Sequence, residues 1–377
     1  MNLTKSIDFL LENAGAVIQY RLHKEILHDL TPTEEENLLE KVYQTPYFQL
    51  VQSYAKPNGY IGSGAHSWDN WRGVKLHETP LQDGECAARL LSYYAIPKAH
   101  PLVRDFIAAM RDEETLWQEF SYIPPEIPRF ENRFEGLNSG FCLMGLLYTM
   151  QAMLGYGDDY EDLRVFQQIC LKGFRRILEV SSLDEITKFR PESKQKYNCP
   201  YIESDEYYPS VFSLAMLAYT DSWRTDANVQ MLRDSLNHIN KIMEPTANMA
   251  VKIKGKYVAV GLCALDHSLR AYSQDLSDVT LYRRPLTEMA MCGVGERVDV
   301  LRESVANLQE ALSGDGILRI TFDNAYKKKV YMSNIFPSSY GDITLETDNK
   351  RKWAVECDLT FWAVQFLKLM EGNNDGL

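Results

Sequence analysis

The feature that most constrains this chain is the regular alternation of two kinds of helical segment. One kind is apolar nearly all round: 141–154, 211–219, 258–265 and 359–370. A helix without a polar face has to be covered on every side, so it belongs in an interior. The other kind carries one apolar stripe at helical spacing between charged faces. Leu163, Phe166, Ile169, Cys170, Phe174 and Ile177 form one such stripe. Val229, Leu232, Leu236, Ile239 and Met243 form a second, and Val298, Leu301, Val305, Leu308 and Leu312 a third. These helices have one dry side and one wet side and should lie outside the buried ones.

The order is buried then striped, several times over. Segments 83–95 and 101–111, 138–154 and 161–178, 208–220 and 226–243, and 258–272 and 296–313 make the pairs, and 356–370 closes the series as a buried helix. The connectors are short, as at Ile96-Pro97 and Gly155-Tyr156-Gly157-Asp158. Antiparallel pairs repeated in this way stack into an open superhelix or a closed ring. Buried helices apolar on both sides favour the ring. The expected fold is therefore all-α, an α/α toroid of inner and outer helices with a central pocket lined by aromatic and a few acidic side chains. No Gly/Ser or Pro-rich linker interrupts it, so residues 1–377 read as one domain with N-terminal helices. Strand signals are few, the best being a small hairpin over 249–257. Two long irregular segments, 119–137 and 182–209, each contain three prolines and read as lids or binding loops.

Composition narrows the function classes. The chain has 377 residues, 45% hydrophobic and 24% charged, with a formal net charge of -12. Wrapping nucleic acid needs Lys and Arg against phosphates, so an acidic chain argues against that partner. The densest basic run, Lys327-Lys328-Lys329, reads as a solvated loop. No stretch approaches the roughly 18 apolar residues of a membrane span. The N-terminus, with Asp8 and Glu12 in an amphipathic stretch, lacks the apolar core of a signal peptide. Seven scattered cysteines, mostly in apolar stretches, read as reduced core residues. A cytoplasmic location follows as an expectation. There is no P-loop, no Gly-x-Gly-x-x-Gly after a strand and no Gly-x-Ser-x-Gly elbow, which removes nucleotide and serine-hydrolase chemistry.

A second clue joins the helix order. Phe48-Gln49-Leu50-Val51-Gln52 runs on to Asn58-Gly59-Tyr60-Ile61-Gly62, and Leu308-Gln309-Glu310-Ala311-Leu312 to Gly314-Asp315-Gly316-Ile317-Leu318. Each is a helix, a polar-Gly turn, then an aromatic or aliphatic residue. This resembles the degenerate glutamine–tryptophan repeats of the terpenoid cyclase and protein prenyltransferase superfamily, whose members fold as α/α toroids. The resemblance implies a protein that acts on or binds an apolar small molecule. The family's catalytic signatures are not reproduced. There is no Asp-x-Asp-Asp run, and Cys263, Asp266 and His267 with Cys357 and Asp358 do not have the family's zinc-ligand spacing. Cys263 and His267 do share a helical face and are zinc-suited groups, but polar groups satisfied in a core are the preferred reading, and no metal ligand is assigned.

Three further constellations carry chemistry. Asp158-Asp159-Tyr160-Glu161-Asp162 matches the Asp-Asp-x-x-Asp string with which class I isoprenoid synthases hold magnesium. Its place at the start of a striped helix makes it read as capping acids meeting the helix dipole. The cluster His66, Trp68, Asp69, Trp71, His77 and Glu85 lies before the first buried helix. Glu85 is a candidate general acid, His66 or His77 a base, and Trp68 and Trp71 a platform for an apolar or sugar ring. The competing reading has the tryptophans plugging the ring and the charges capping the helix. Asp205 and Glu206, with Tyr207 and Tyr208 as binding residues, precede another buried helix. Asp205 or Glu206 with Glu85 or Asp69 would give the paired carboxylates of a carbohydrate-active enzyme. Asp358, beside Trp362 on the last buried helix, is a third inward-facing acid. Three functions follow in order: a terpenoid-cyclase-like or prenyltransferase-like protein for an apolar small molecule, a glycan-active hydrolase or lyase, and a non-catalytic helical-repeat module for a protein partner.

Overall fold

The computed structural model describes residues 3–62, 64, 83–120, 143–189, 200–242, 250–253, 255–259, 283–320, 343–346 and 350–372. The chain is mostly helical in these residues, and they divide between two compact units. The first comprises residues 1–122, 275–283 and 304–377, the second 123–274 and 284–303. Among the described residues no helix is long and apolar enough to cross a membrane.

The first unit opens with α1 (Thr4–Asn13), α2 (Ala16–Arg21, continued by a π turn, Leu22–Leu27), α3 (Pro32–Tyr43) and α4 (Pro46–Ser53). The starts of α3 and α4 are written in sequence. Each has threonine at the N-cap and proline at the first helical position, where the missing N–H costs nothing. Thr31 and Glu34 close a capping box at α3, with the Thr31 N–H donating to Glu34 Oε2 over 2.9 Å. Then come α5 (Gly84–Tyr93), α6 (Pro101–Arg111) and α7 (Glu113–Phe120). The unit ends with α14 (Ala354–Gly372), whose residues from Cys357 to Val364 are all buried. α14 packs on α1, on α2 and on the π turn, and α4 packs on α5. Gln365 of α14 donates to Glu25 Oε2 at 2.9 Å, and Glu25 is in turn held by Arg21 at 2.7 Å.

The second unit holds α8 (Leu143–Gln151, continued by a π turn, Ala152–Tyr156), α9 (Glu161–Ile177), α10 (Val211–Ala218) and α11 (Asp226–Ile242). α9 packs on both α10 and α11, and α10 on α8. The stripe of α9 is buried at Leu163, Phe166, Cys170, Phe174 and Ile177, as its spacing predicts. Gly173 interrupts that face for a reason: a Cβ there would stand 3.2 Å from the backbone of Tyr208 and Pro209. Two further helices, α12 (Arg283–Met291) and α13 (Asp299–Leu312), begin at or near the unit boundaries.

The buried and striped characters expected of α5, α6, α8, α9, α10, α11 and α14 are those observed. Three expectations change. Val258 and Ala259 open no buried helix: they lie in β3 (Lys256–Ala259), antiparallel to β2 (Ala250–Ile253) around Gly255 at φ +79°. β2 also pairs in parallel with β1 (Tyr201–Glu203), which sits inside the segment read as an irregular loop from 182 to 209. A three-residue strand is too short to show alternation, so only its pairing identifies it. Finally, Glu119 and Phe120 finish α7 and do not begin the other loop. The remainder of that loop, 121–137, and residues 260–272 lie outside the described residues.

The two polar-Gly turns have the same construction. After α4, Asn58 Oδ1 accepts the Tyr60 N–H at 3.0 Å, and Gly59 takes φ +83°. After α13, Asp315 Oδ1 accepts the Ile317 N–H at 3.1 Å, and Gly316 takes φ +81°. Each glycine lies flat on another helix. A Cβ on Gly59 would be 2.7 Å from the Asp105 carbonyl of α6, and one on Gly316 would be 2.7 Å from Lys5 Cβ and 2.8 Å from the Ser6 nitrogen of α1. Only glycine satisfies both the left-handed backbone and the close approach.

Candidate functional site

The first unit concentrates ionisable groups in its interior. At the N-terminus of α5, Asp83 is the N-cap, and its Oδ1 accepts the Cys86 N–H at 2.9 Å. Gly62, at φ +84°, brings the preceding turn against the Asp83 backbone, and Tyr60 donates to the Gly64 carbonyl at 3.0 Å. One residue inside the helix, Glu85 is 2% exposed and is bonded to Arg89, also 2% exposed, at 2.6 Å. The spacing of four residues puts both on one face of α5. Burial works against the Arg89 charge, but Glu85 outweighs it and keeps the guanidinium protonated. The neighbouring Cys86 thiol is pushed well up, first by burial and then by the charges of Asp83 and Glu85. It is therefore no thiolate nucleophile.

A second group centres on Asp358 of α14. Its Oδ2 accepts from Arg283 Nη1 at 2.8 Å, and its Oδ1 from the Leu345 N–H at 2.8 Å. Glu346, in the same short segment as Leu345, accepts from the Gly15 N–H at 2.6 Å and from Arg351 Nη1 at 3.1 Å. Arg351 also donates to the Asn13 carbonyl. Thr344 is buried, and its hydroxyl donates to the Glu346 carbonyl at 3.3 Å. Tyr94, at the C-cap of α5, is 0% exposed. Its phenol is held well above the ordinary range by burial and then by the charges of Tyr47, Asp358 and Glu346. The charges of the acids around α14 therefore reach the end of α5. Trp362, one turn on from Asp358, is buried and stacks on Phe366 with centroids 5.9 Å apart.

Of the acids singled out from sequence, Glu85 and Asp358 fall in this first unit and are buried, whereas Asp205 and Glu206 fall in the second. Asp205 is exposed in the turn after β1. Glu206 is bonded to Arg176 of α9 at 3.0 Å. Lys172 lies over the Tyr207 ring, 5.7 Å from its centroid, and Tyr208 is buried against α9. His66, Trp68, Asp69, Trp71 and His77 lie outside the described residues, as do Cys263, Asp266 and His267.

Asp158 is neither the N-cap of α9 nor arranged as a metal ligand. The N-cap is Tyr160, which makes no side-chain cap. The Asp158 carboxylate instead accepts from the Asp221 N–H (2.8 Å), the Ser222 N–H (3.2 Å) and hydroxyl (2.6 Å), and the Gln167 amide (2.9 Å). Burial raises its pKa, but these four donors prevail and hold it below the ordinary range. Its lone pairs are spent on fastening the turn after α10 to α9. Glu161 and Asp162 remain in the first turn of α9, where the dipole reading places them. Among the described residues no group of three or more His, Cys, Asp or Glu side chains is placed to hold a metal ion.

Sequence reasoning missed Arg89, Tyr94, Arg283, Glu346 and Arg351. The first had a signal, an arginine four residues after a glutamate in an otherwise apolar helix. Arg283 and Glu346 had none because Asp358 and Gly15 are distant in the chain, and Arg351, five residues from Glu346, stood in no pattern that marked the pair. The sequence matches no family model, no curated protein and no solved structure.

Proposed function

We propose that this chain is an α/α toroid of the terpenoid-cyclase and protein-prenyltransferase kind, and that it binds a small, largely apolar molecule against the buried helices α5 and α14. The observation that supports the reading is the repeated turn. Two sites far apart in sequence use the same Asx bond and the same left-handed glycine laid on a helix backbone. The first turn leads toward α5 and the second toward α14, and each of these buried helices carries acid in its interior, Glu85 in one and Asp358 in the other. Buried charge is costly unless it is paired. Clusters of this kind are where substrate-handling groups concentrate. The apolar length of both helices supplies the greasy wall beside them.

The reading is tested by following the thermal midpoint of the purified protein with isoprenoid hydrocarbons, isoprenyl diphosphates with and without magnesium, and a panel of oligosaccharides. A ligand bound only by the native state at about 100 times its dissociation constant adds roughly 2.7 kcal/mol. A rise with the isoprenoids is the expected result. A rise with oligosaccharides alone would replace the reading with carbohydrate chemistry, and silence throughout would leave the helical module for a protein partner.

A further inference from the structure

Asn58-Gly59 is the only Asn-Gly pair in the sequence, and it forms the first of the two repeated turns. Asparagine is a chemically labile residue. It is most labile before glycine, whose missing Cβ leaves the backbone nitrogen open to attack the side-chain carbonyl. The fold pins the groups that this attack needs. Asn58 Oδ1 accepts the Tyr60 N–H at 3.0 Å, and Asn58 Nδ2 donates to Glu119 Oε1 at 3.3 Å. The Gly59 N–H, whose proton has to leave, donates to the Lys56 carbonyl at 2.9 Å. Glu119 is 4% exposed and is held in turn by Lys56 Nζ at 2.6 Å.

The second turn shows why the amide matters. There the same position is an acid, Asp315, and it faces a cation: Arg319 donates to its two oxygens at 3.0 and 2.8 Å. At the first turn the side chain faces an acid, Glu119. A carboxylate at position 58 would lose the Nδ2 donor and set two like charges where an amide now donates over 3.3 Å. We propose that Asn58 is a modification site kept closed by the fold, which deamidates when the turn opens and whose product cannot close the turn again. The Gly59 nitrogen bonds to Asn58 Cγ, the Cγ–Nδ2 bond breaks, and ammonia leaves with the Gly59 proton. Water then opens the imide, giving aspartate by attack at Cγ or isoaspartate by attack at the main-chain carbonyl. Isoaspartate adds a methylene to the main chain directly before a glycine that has no room to move, since a Cβ on Gly59 would stand 2.7 Å from the Asp105 carbonyl. The change is therefore one-way, and it does not depend on what the protein binds.

The test incubates the purified protein in mildly alkaline buffer, folded and in guanidinium chloride, and follows Asn58 by mass spectrometry of its peptide, separating aspartate from isoaspartate. Loss of the bonds that hold the pair predicts conversion at least about tenfold slower in the folded protein than in the denatured one. Asn58→Asp, which makes one product directly, should lower the thermal midpoint by about 2–4 °C. Adding Glu119→Gln to it should restore most of that loss, because the like charge is removed while an amide remains to bond. Equal conversion in folded and denatured protein overturns the protection, and no conversion in the denatured chain overturns the site. An Asn58→Asp protein as stable as the native one, or one that Glu119→Gln does not rescue, overturns the one-way step. If Asn58→Asp alone does not fold, recovery of folding in the double variant supports that step and its absence overturns it.

Discussion

Helices α10 and α5 are both buried along most of their length, yet they solve the problem of burial differently. α10 reads Val-Phe-Ser-Leu-Ala-Met-Leu-Ala and buries no charge. Its polar groups are local: Ser210 and Ser213 close a capping box, and nothing else on the helix needs a distant partner. α5, two residues longer, buries Glu85 and Arg89, and α14 buries Asp358 against Arg283. The comparison shows that full burial of a helix in this chain does not call for charge. A buried ion pair is seldom more stable than well-packed apolar residues in its place, because desolvation offsets the attraction. The charges of α5 and α14 are therefore expected to serve binding more than stability.

The largest effect separates those two roles. Arg89→Met leaves Glu85 buried without its guanidinium and should cost about 3–5 kcal/mol in urea denaturation. The double variant Glu85→Gln/Arg89→Met should recover most of that loss. In α10, where no such compensation exists, Leu217→Ala should cost about 2–5 kcal/mol through the cavity it leaves. If the double variant is folded and still binds isoprenoids as the native protein does, the pair is structural and the contrast between α5 and α10 loses its functional meaning.

How much of this was legible in sequence depends on the range of each interaction. The 101–111 boundaries of α6 were readable because Pro101 and the stripe of Val103, Phe106, Ile107 and Met110 are local signals. Glu85 and Asp358 stood out because a charge in an apolar helix is visible without a structure. What Asp358 touches was not: Arg283 is 75 residues away, and the Gly15 partner of Glu346 is 331 residues away. Tyr94 was indistinguishable from any other tyrosine at a helix end. α12, not among the expected helices, opens with Arg283-Arg284-Pro285, where proline in the first turn removes no needed hydrogen bond. The acid string at 158–162 was read correctly at Glu161 and Asp162, in the first turn of α9, but not at Asp158. The capping expected of Asp158 is replaced by donors from residues 167, 221 and 222, none of them local to the string.

The repeated turn offers a second comparison, between the two ends of one unit. Gly59→Ala and Gly316→Ala each force a left-handed residue onto a helix backbone and should each cost about 1–3 kcal/mol from backbone strain alone. The prediction lies in their similarity. If one is costly and the other is silent, the turns are not equivalent and the toroid reading loses its main support. Asp158 should follow. All four of its partners are donors, so Asp158→Asn turns an amide N–H toward another donor and should cost about 1.5 kcal/mol at neutral pH. Because its folded-state pKa is depressed, this contribution is present above the unfolded value near 4 and is lost as pH falls further. The gap between native and variant proteins should therefore close in strong acid, and a gap that persists there would remove the carboxylate from the account.

The smallest effect asks whether a titrating group in the first unit matters when it has no ionic partner. α3 is capped by Thr31, which does not titrate, whereas α6 is capped by His100, whose Nδ1 accepts the Leu102 N–H at 3.2 Å. The ring lies 4.9 Å from Tyr43 and 5.6 Å from Phe48, and partial burial holds its pKa below the ordinary histidine value. A protonated Nδ1 becomes a donor and cannot accept from Leu102. The sign follows: the neutral ring is favoured in the folded state, so its contribution is full above the unfolded pKa near 6.5 and is lost as pH falls through the lower folded value. His100→Asn keeps a capping acceptor that does not titrate in this range. Between pH 8 and pH 5 the native protein should lose about 0.5–1 kcal/mol more stability than His100→Asn, the scale of one helix cap. Parallel pH profiles for the two proteins would mean that α6 is held by its packing against the first unit and not by the protonation state of its cap.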